Sequence, residues 1–380
     1  MKKMQMVDLI SQYEKIQTEI DQAVLNVIRS SAYINGPEVK AFQAELESYL
    51  KVKHVIPCAN GTDALQLAMM ALGLKPGDEV ITASFTYVAT AEVIALLGLT
   101  PVLVEVNPKT FTIDPQAIES AITGKTKAIV PVHLYGQCAD MDAIMEIAKR
   151  NNLYVIEDTA QAIGADYLHN DGKVSKAGTI GHIGCTSFFP SKNLGCFGDG
   201  GAIFTNDDSL AKKLRMMANH GQEKQYYHDE IGVNSRLDSI QAAILRIKLK
   251  HLDAYAKARN EAADRYDRGL QSENIIIPER AQRSTHVFHQ YTLQLRNVNR
   301  DEIREKLAAV GVPSMIYYPV PLHQQKAYRS DRYPDGSFPV TEHLCSCVLS
   351  LPMHTELSEQ DQNEIIDHVL NIVNEKTLSS

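Results

Sequence analysis

Leu153-Tyr154-Val155-Ile156-Glu157-Asp158-Thr159-Ala160-Gln161 is the stretch that decides the fold of this chain. Its first four residues are nearly all apolar, and two carboxylates close the run. A strand inside a parallel sheet is covered on both faces and reads as such a continuous apolar segment. Ala128-Ile129-Val130-Pro131-Val132 reads the same way. Working outward, the pattern predicts strands at 55–58, 79–83, 102–106, 128–133 and 153–157, and helices at 63–72, 88–97 and 141–150. Strands alternating with helices of this length argue for an α/β fold, a mostly parallel sheet with both faces covered.

Tyr167 to Val174 reads as a hairpin with Asp171-Gly172 at its turn. An amphipathic helix is predicted over 237–250, continuing to about 266 as the bridge to a second unit. The remainder reads as a strand at 291–295, a helix at 301–309, a Pro-rich loop at 318–322 and a final helix at 360–373. The expected organisation is an N-terminal helical arm (1–30), a large domain (31–250) and a smaller α+β domain (251–380).

With 380 residues, 44% hydrophobic and 22% charged, the composition is that of an ordinary globular protein. The net charge of -8 argues against a general nucleic-acid binder, which would carry a basic excess. The six cysteines are scattered and form no C-x-x-C pair, so neither a zinc site nor a redox motif is indicated. Reduced thiols fit a cytoplasmic protein. No signal peptide and no membrane-spanning helix are expected.

The chemistry should lie beyond the carboxyl ends of the parallel strands. Asn60-Gly61-Thr62 follows the first strand and opens a helix, where backbone N–H groups and a Thr hydroxyl make a phosphate site. A simple helix cap by Asn60 or Thr62 would read the same. Asp158 ends a buried strand and needs a partner. A protonated heterocyclic nitrogen, a structural Arg or a backbone amide would each serve. Tyr87 lies just past another strand, placed to stack on a flat ligand or to pack in the core. Lys192 sits in Ser187-Phe188-Phe189-Pro190-Ser191-Lys192-Asn193-Leu194-Gly195-Cys196-Phe197-Gly198-Asp199-Gly200-Gly201. A lysine costly to bury, beside a glycine-rich loop, is a candidate for a depressed pKa and Schiff-base chemistry. A surface lysine beside a turn would look alike. Together, though, these segments supply four parts that pyridoxal phosphate requires: a phosphate cradle, an aromatic face, a carboxylate for the ring nitrogen and an amine for the aldehyde.

The chain resembles the DegT/DnrJ/EryC1/StrS family of sugar aminotransferases, fold-type I enzymes dependent on pyridoxal phosphate. The resemblance spans nearly the whole chain. It is carried by Gly36-Pro37-Glu38-Val39, Asn60-Gly61-Thr62-Asp63-Ala64-Leu65, Pro76-Gly77-Asp78-Glu79-Val80-Ile81 and Pro131-Val132-His133-Leu134-Tyr135-Gly136. It continues through the 156–161 segment, the Lys192 run, Gly232-Val233-Asn234-Ser235-Arg236-Leu237-Asp238 and Tyr318-Pro319-Val320-Pro321-Leu322-His323. It implies a large domain with a mostly parallel sheet and a smaller α+β C-terminal domain. It implies that Lys192 holds the cofactor as an aldimine and then shuttles the proton, and that Asp158 pairs with the ring nitrogen. Gln161 is implied beside the ring hydroxyl, Tyr87 on the ring, and Gly61, Thr62 and Ser187 around the phosphate. Asn234 is implied to reach that phosphate from a neighbouring subunit, so a homodimer is expected.

The implied reaction passes the amino group of L-glutamate to a nucleotide-linked ketosugar. The nearest subgroup is similar to the 3-aminotransferases of UDP-2-acetamido-2-deoxy-3-oxo-glucuronate, which serve bacterial surface polysaccharide (lipopolysaccharide, O-antigen) biosynthesis. Arg236 is then the candidate partner of the uronate carboxylate, with an ordinary ion pair as its other reading. Tyr317, Tyr318 and His323 are the other candidate substrate contacts. The pair Tyr317-Tyr318 departs from the His-Tyr that the subgroup can carry, and a Tyr hydroxyl brings no positive charge. Amination at C3 or C4 of a UDP- or dTDP-ketohexose without a C6 carboxylate is therefore the alternative.

Three further readings are weaker. A dehydratase of the family would have His in place of Lys192. A non-catalytic regulator lacks an appended DNA-binding segment or basic patch here. A nicotinamide oxidoreductase would need G-x-G-x-x-G after the first strand, which the 195–201 loop does not supply. His133 reads as structural, His289 stays open, and His286 with His289 lacks a metal ligand set.

Overall fold

The computed structural model describes residues 4–375. The ends of the expected arm (1–3) and of the expected C-terminal domain (376–380) lie outside the described residues. The centre is a seven-stranded sheet. Its strands are β1 (His54–Cys58), β2 (Glu79–Ala83), β3 (Thr100–Val104), β4 (Thr126–Val130), β5 (Tyr154–Asp158), β6 (Ile183–Ser187) and β7 (Gly201–Thr205), in spatial order β1-β7-β6-β5-β4-β2-β3. All are parallel except β7, which runs antiparallel to both its neighbours, β1 and β6. The sheet is α/β, as the apolar runs predict. Val155, Ile156, Ile129 and Val130 are fully buried between layers of helices.

Strand ends differ from the sequence expectation by a residue or two. β4 stops at Val130 because Pro131 lacks an N–H to continue the ladder. Two strands, β6 and β7, carry too many small residues to register as apolar runs. Gly184 in β6 is required by crowding: a Cβ there would stand 2.0 Å from the Gly178 carbonyl oxygen. The hairpin pairs Asp166–Leu168 with Val174–Lys176, and Gly172 takes the left-handed conformation at its turn.

The N-terminal segment forms helices Leu9–Glu14 and Gln17–Ser30, followed by a third, Pro37–Leu50, that opens on Pro at its first turn. The long helix expected over 237–266 is two helices, Ser239–Leu249 and Leu252–Gly269, broken at Lys250-His251. Beyond it lies a second sheet, Ile275–Ile276, Tyr291–Leu295 and Val348–Leu351, all antiparallel. Helices Arg300–Ala309 and Glu359–Asn374 pack on it around Leu293, Leu307, Ile365 and Val369. Among the described residues no helix is long and apolar enough to cross a membrane.

Candidate active site

The carboxyl ends of β1, β5 and β6 open on one cavity of about 540 Å³. Gly61, Thr62, Tyr87, Asp158, Gln161, Ser187, Lys192, Tyr317 and Tyr318 all line it. The helix Gly61–Ala71 starts at its floor. Asn60 caps that helix by accepting the Asp63 N–H at 2.8 Å, so the capping reading is correct for Asn60. The cap leaves the Gly61 and Thr62 N–H groups without acceptors among the described residues, facing the cavity. Gly61 is needed there: a Cβ would meet the Ser187 Cβ at 2.7 Å. Its absence brings a helix N-terminus and the Ser187 hydroxyl together, which is an anion site.

Asp158 ends β5 and is only 8% exposed. Its carboxylate accepts from the Thr90 hydroxyl at 3.0 Å and from the Ala160 N–H at 3.1 Å. Among the described residues no cation pairs with it. Burial therefore pushes its carboxyl above the usual range, with the Ala160 and Thr90 hydrogen bonds and the Lys192 charge opposing. Lys192 is half-buried in the loop between β6 and β7, where its N–H donates to the Phe189 carbonyl at 2.8 Å. Burial pushes its amine down to about 8, with Asp158 opposing. Beneath Asp158, the neighbouring Glu157 and His133 are fully buried and bonded at 2.9 Å. Glu157 also accepts the N–H groups of Gly178, Ile180 and Gly181. His133 is thus structural, as expected.

On the far wall, Gln161 accepts the Tyr135 N–H at 2.8 Å and donates to the Tyr318 hydroxyl at 3.1 Å. The Tyr135 hydroxyl donates to the Tyr317 carbonyl. Tyr87 is 57% exposed at the rim, its ring 6.0 Å from that of Tyr318. An exposed aromatic over a cavity is available for stacking rather than spent in the core. The donor set fits pyridoxal phosphate: an anion cradle that a Cβ would fill, a buried carboxylate without a cation, and an amine whose charge burial disfavours.

Three expected residues stand outside this cavity. Asn234 is exposed, Arg236 is half-buried, and His323 is buried elsewhere. Arg236 donates to the Asn219 side chain at 3.4 Å and has no carboxylate partner among the described residues. The His323 Nε2 lies 3.0 Å from the Glu342 carboxylate, and its ring packs against Phe338. Conversely, Thr90, Tyr135, His289 and Gln290 belong to the site's surroundings or walls without having been assigned there from sequence. Thr90 lies in the first turn of the helix Ala89–Leu96, and no local pattern marked it.

The fold and this cavity define a pyridoxal-phosphate-dependent aminotransferase of fold type I. The chain belongs to the DegT/DnrJ/EryC1/StrS aminotransferase family, which matches residues 14–370. It is 48% identical over 351 residues, 92% of this chain and 95% of the other, to the UDP-2-acetamido-2-deoxy-3-oxo-D-glucuronate aminotransferase of Pseudomonas aeruginosa. It is 46% identical over 355 residues, 93% and 94% of the two chains, to the UDP-N-acetyl-3-dehydro-alpha-D-glucosamine 3-aminotransferase of Acidithiobacillus ferrooxidans. A Geobacillus stearothermophilus protein named pleiotropic regulatory protein is 48% identical over 367 residues, covering 96% and 97%. Among solved structures, S. venezuelae DesV in complex with a ketimine intermediate superimposes with a TM-score of 0.94 at 42% identity, covering 98% of this chain and 99% of that one. Bacillus subtilis ntda with bound cofactor PMP gives a TM-score of 0.88 at 35% identity, covering 97% and 83%.

Proposed function

We propose that the enzyme moves the amino group of L-glutamate to C3 of UDP-2-acetamido-2-deoxy-3-oxo-D-glucuronate, in the cytoplasm, for a bacterial surface polysaccharide such as an O-antigen. The likeness to the Pseudomonas aeruginosa enzyme named for that substrate carries this reading. Arg236 supports it: a guanidinium without a carboxylate partner among the described residues suits a sugar carboxylate.

Pyridoxal phosphate, when bound, supplies an electron sink for the carbanion at the amino-bearing carbon. Gly61 and Thr62 N–H groups and the Ser187 hydroxyl hold its phosphate. Asp158, fixed by Thr90 and Ala160, keeps the ring nitrogen protonated. Gln161 orients the ring edge and Tyr87 covers its face. The Lys192 Nζ would take the proton from the amino-bearing carbon of glutamate and, in the second half-reaction, deliver one to the sugar carbon that becomes amino-bearing, a role suited to an amine with a pKa near the working pH. We take residues 31–250 as the cofactor-binding unit and 251–380 as the smaller unit that supplies the Tyr317-Tyr318 wall.

Asn234 and Arg236 would complete the site from a second copy of the chain in a homodimer. Their segment bears Tyr226 at 81% and Ile231 at 84% exposure, apolar surface that a partner would cover. His323, bonded to Glu342, would act only through the loop it anchors.

The second reading is a C3 amination of a sugar neutral at C6. The 46% identity to the Acidithiobacillus ferrooxidans enzyme and the uncharged Tyr317 favour it. The test is one assay. UDP-N-acetylglucosaminuronate and UDP-N-acetylglucosamine are each oxidised at C3 in situ, glutamate is added, and products are read by mass. An amino sugar from the uronate alone supports the proposal. A product from the neutral sugar alone shifts the assignment to the second reading. No product from either overturns both.

A further inference from the structure

Tyr135 holds a backbone conformation that bulky residues avoid. It is buried, lines the cavity, and sits at φ +59 and ψ -5, in the left-handed region that a large side chain enters at a cost. Gly136 follows at φ +121, and a Cβ on it would stand 2.8 Å from the Phe288 nitrogen. The turn is pinned from the second unit. Val287 N–H donates to the Gly136 carbonyl at 2.8 Å, and Gln290 N–H to that of Tyr135 at 3.3 Å. Strain held this firmly at the wall of a site points to a use.

The angle φ sets a residue's own N–H against its side chain, so the left-handed value decides what the two reach together. The Tyr135 N–H donates to the Gln161 Oε1 at 2.8 Å, and its hydroxyl donates to the Tyr317 carbonyl. A backbone N–H can only donate, so Gln161 turns its oxygen to Tyr135 and its Nε2 to the Tyr318 hydroxyl, at 3.1 Å. Tyr135 is thus tied to both residues of the Tyr317-Tyr318 wall, to one directly and to the other through Gln161. Burial raises the pKa of the Tyr135 hydroxyl, which keeps it protonated and a donor. The wall's other anchors lie to either side of this pair. Met315 and Ser350 exchange N–H bonds at 3.1 and 2.7 Å, and Leu322 N–H donates to the Ser84 carbonyl at 3.1 Å. Between those anchors, where the wall meets the cavity, Tyr135 links it to the cofactor side.

We propose that Tyr135 is a positioning residue for the nucleotide sugar: from one strained turn it fixes the Tyr317-Tyr318 wall against the cofactor side and so shapes the space the sugar enters. The inference rests on the nucleotide-sugar reading of the site. Tyr135→Phe removes one oxygen, releases the Tyr317 carbonyl, and keeps the buried ring and the N–H bond to Gln161. Tyr318→Phe cuts the second tie.

The experiment uses the full chain loaded with cofactor. Affinity for UDP-N-acetylglucosaminuronate, which has no ketone to aminate, is measured by calorimetry, and cofactor affinity by titrating the visible band. For Tyr135→Phe the nucleotide-sugar Kd should rise about tenfold, the size of one hydrogen bond lost, while the cofactor Kd stays within about twofold of wild type. Tyr318→Phe should cost less when added to Tyr135→Phe than it costs alone, because the wall is already loose. An unchanged sugar Kd in Tyr135→Phe, equal losses for sugar and cofactor, or full additivity in the double variant overturns the proposal. Failure of Tyr135→Phe to fold would make the hydroxyl a prop of the structure and overturns it as well. If wild-type enzyme binds neither UDP-N-acetylglucosaminuronate nor UDP-N-acetylglucosamine, the nucleotide-sugar reading itself fails.

Discussion

Asp158→Asn isolates one charge without altering shape. An asparagine at the end of β5 keeps an oxygen for the Ala160 N–H and an amide group facing the Thr90 hydroxyl, which can accept as well as donate. What it loses is the negative charge opposite the cofactor's ring nitrogen. Breaking a buried ion pair by neutralising one partner costs about 3–5 kcal/mol, or roughly two to four powers of ten in an equilibrium constant. Cofactor affinity, read by titrating the visible band, should fall within that range, and turnover should fall at least as far.

The cofactor-free protein should respond in the opposite direction. Burial raises the folded-state pKa of Asp158 above its unfolded value, so the folded state holds its proton to higher pH. The cost of the buried carboxylate is absent in acid and grows as pH climbs past the unfolded value. Asp158→Asn should therefore raise the Tm of cofactor-free protein at pH 7 and leave it nearly unchanged near pH 3. A lower Tm at pH 7 with unaltered cofactor binding would show that Asp158 holds the fold rather than the cofactor.

Lys192→Ala should reduce turnover to background. Borohydride should add the cofactor's mass to wild-type protein at residue 192 and none to the variant; substantial steady-state activity in the variant would refute the assignment. Gly61→Ala places a methyl 2.7 Å from Ser187. Overpacking of this kind costs about 1–3 kcal/mol, and the loss should show as weaker cofactor binding; unaltered affinity by the same titration would count against the cradle. In cofactor-free protein Lys192 should reach half its maximal acetylation near pH 8, and a midpoint near 10.5, the ordinary lysine value, would mean that burial does not act on it. Glu157→Ala strands His133 and three backbone N–H groups in the core. It should destabilise by about 3 kcal/mol or more in denaturant titration, and a loss below about 1 kcal/mol would mean water replaces the carboxylate.

How far the sequence carries depends on what each element draws on. β2, β4 and β5 could be read because an interior parallel strand must be apolar on both faces, and that demand is written locally. β6 and β7 could not, since Gly184, Gly201 and Ala202 answer to neighbours rather than to a strand pattern. The break at Lys250-His251 lies inside a continuous helical periodicity, which carries no local mark of it. In the site, the residues at strand ends were legible because the topology fixes where a parallel sheet binds its ligand. His289 and Gln290 were not, since they reach the cavity from the second sheet, and no local pattern marks that approach. For His323 the partner that occupies its ring, Glu342, is on a different element and became apparent only in three dimensions.

Because β7 runs against β6, the two are joined by a simple return rather than by a helix crossing over the sheet. Ser187 faces Gly201 across the ladder, so residues 188 to 200 form a closed loop with a fixed neck. Its interior is not free chain: Phe188, Leu194 and Cys196 are fully buried against Phe42 and Leu46 of the helix Pro37–Leu50, so the loop that carries Lys192 is anchored beyond its neck. Lys192 and Asp158 are thus held by two different devices, one a loop packed into the core and the other a strand end in the ladder.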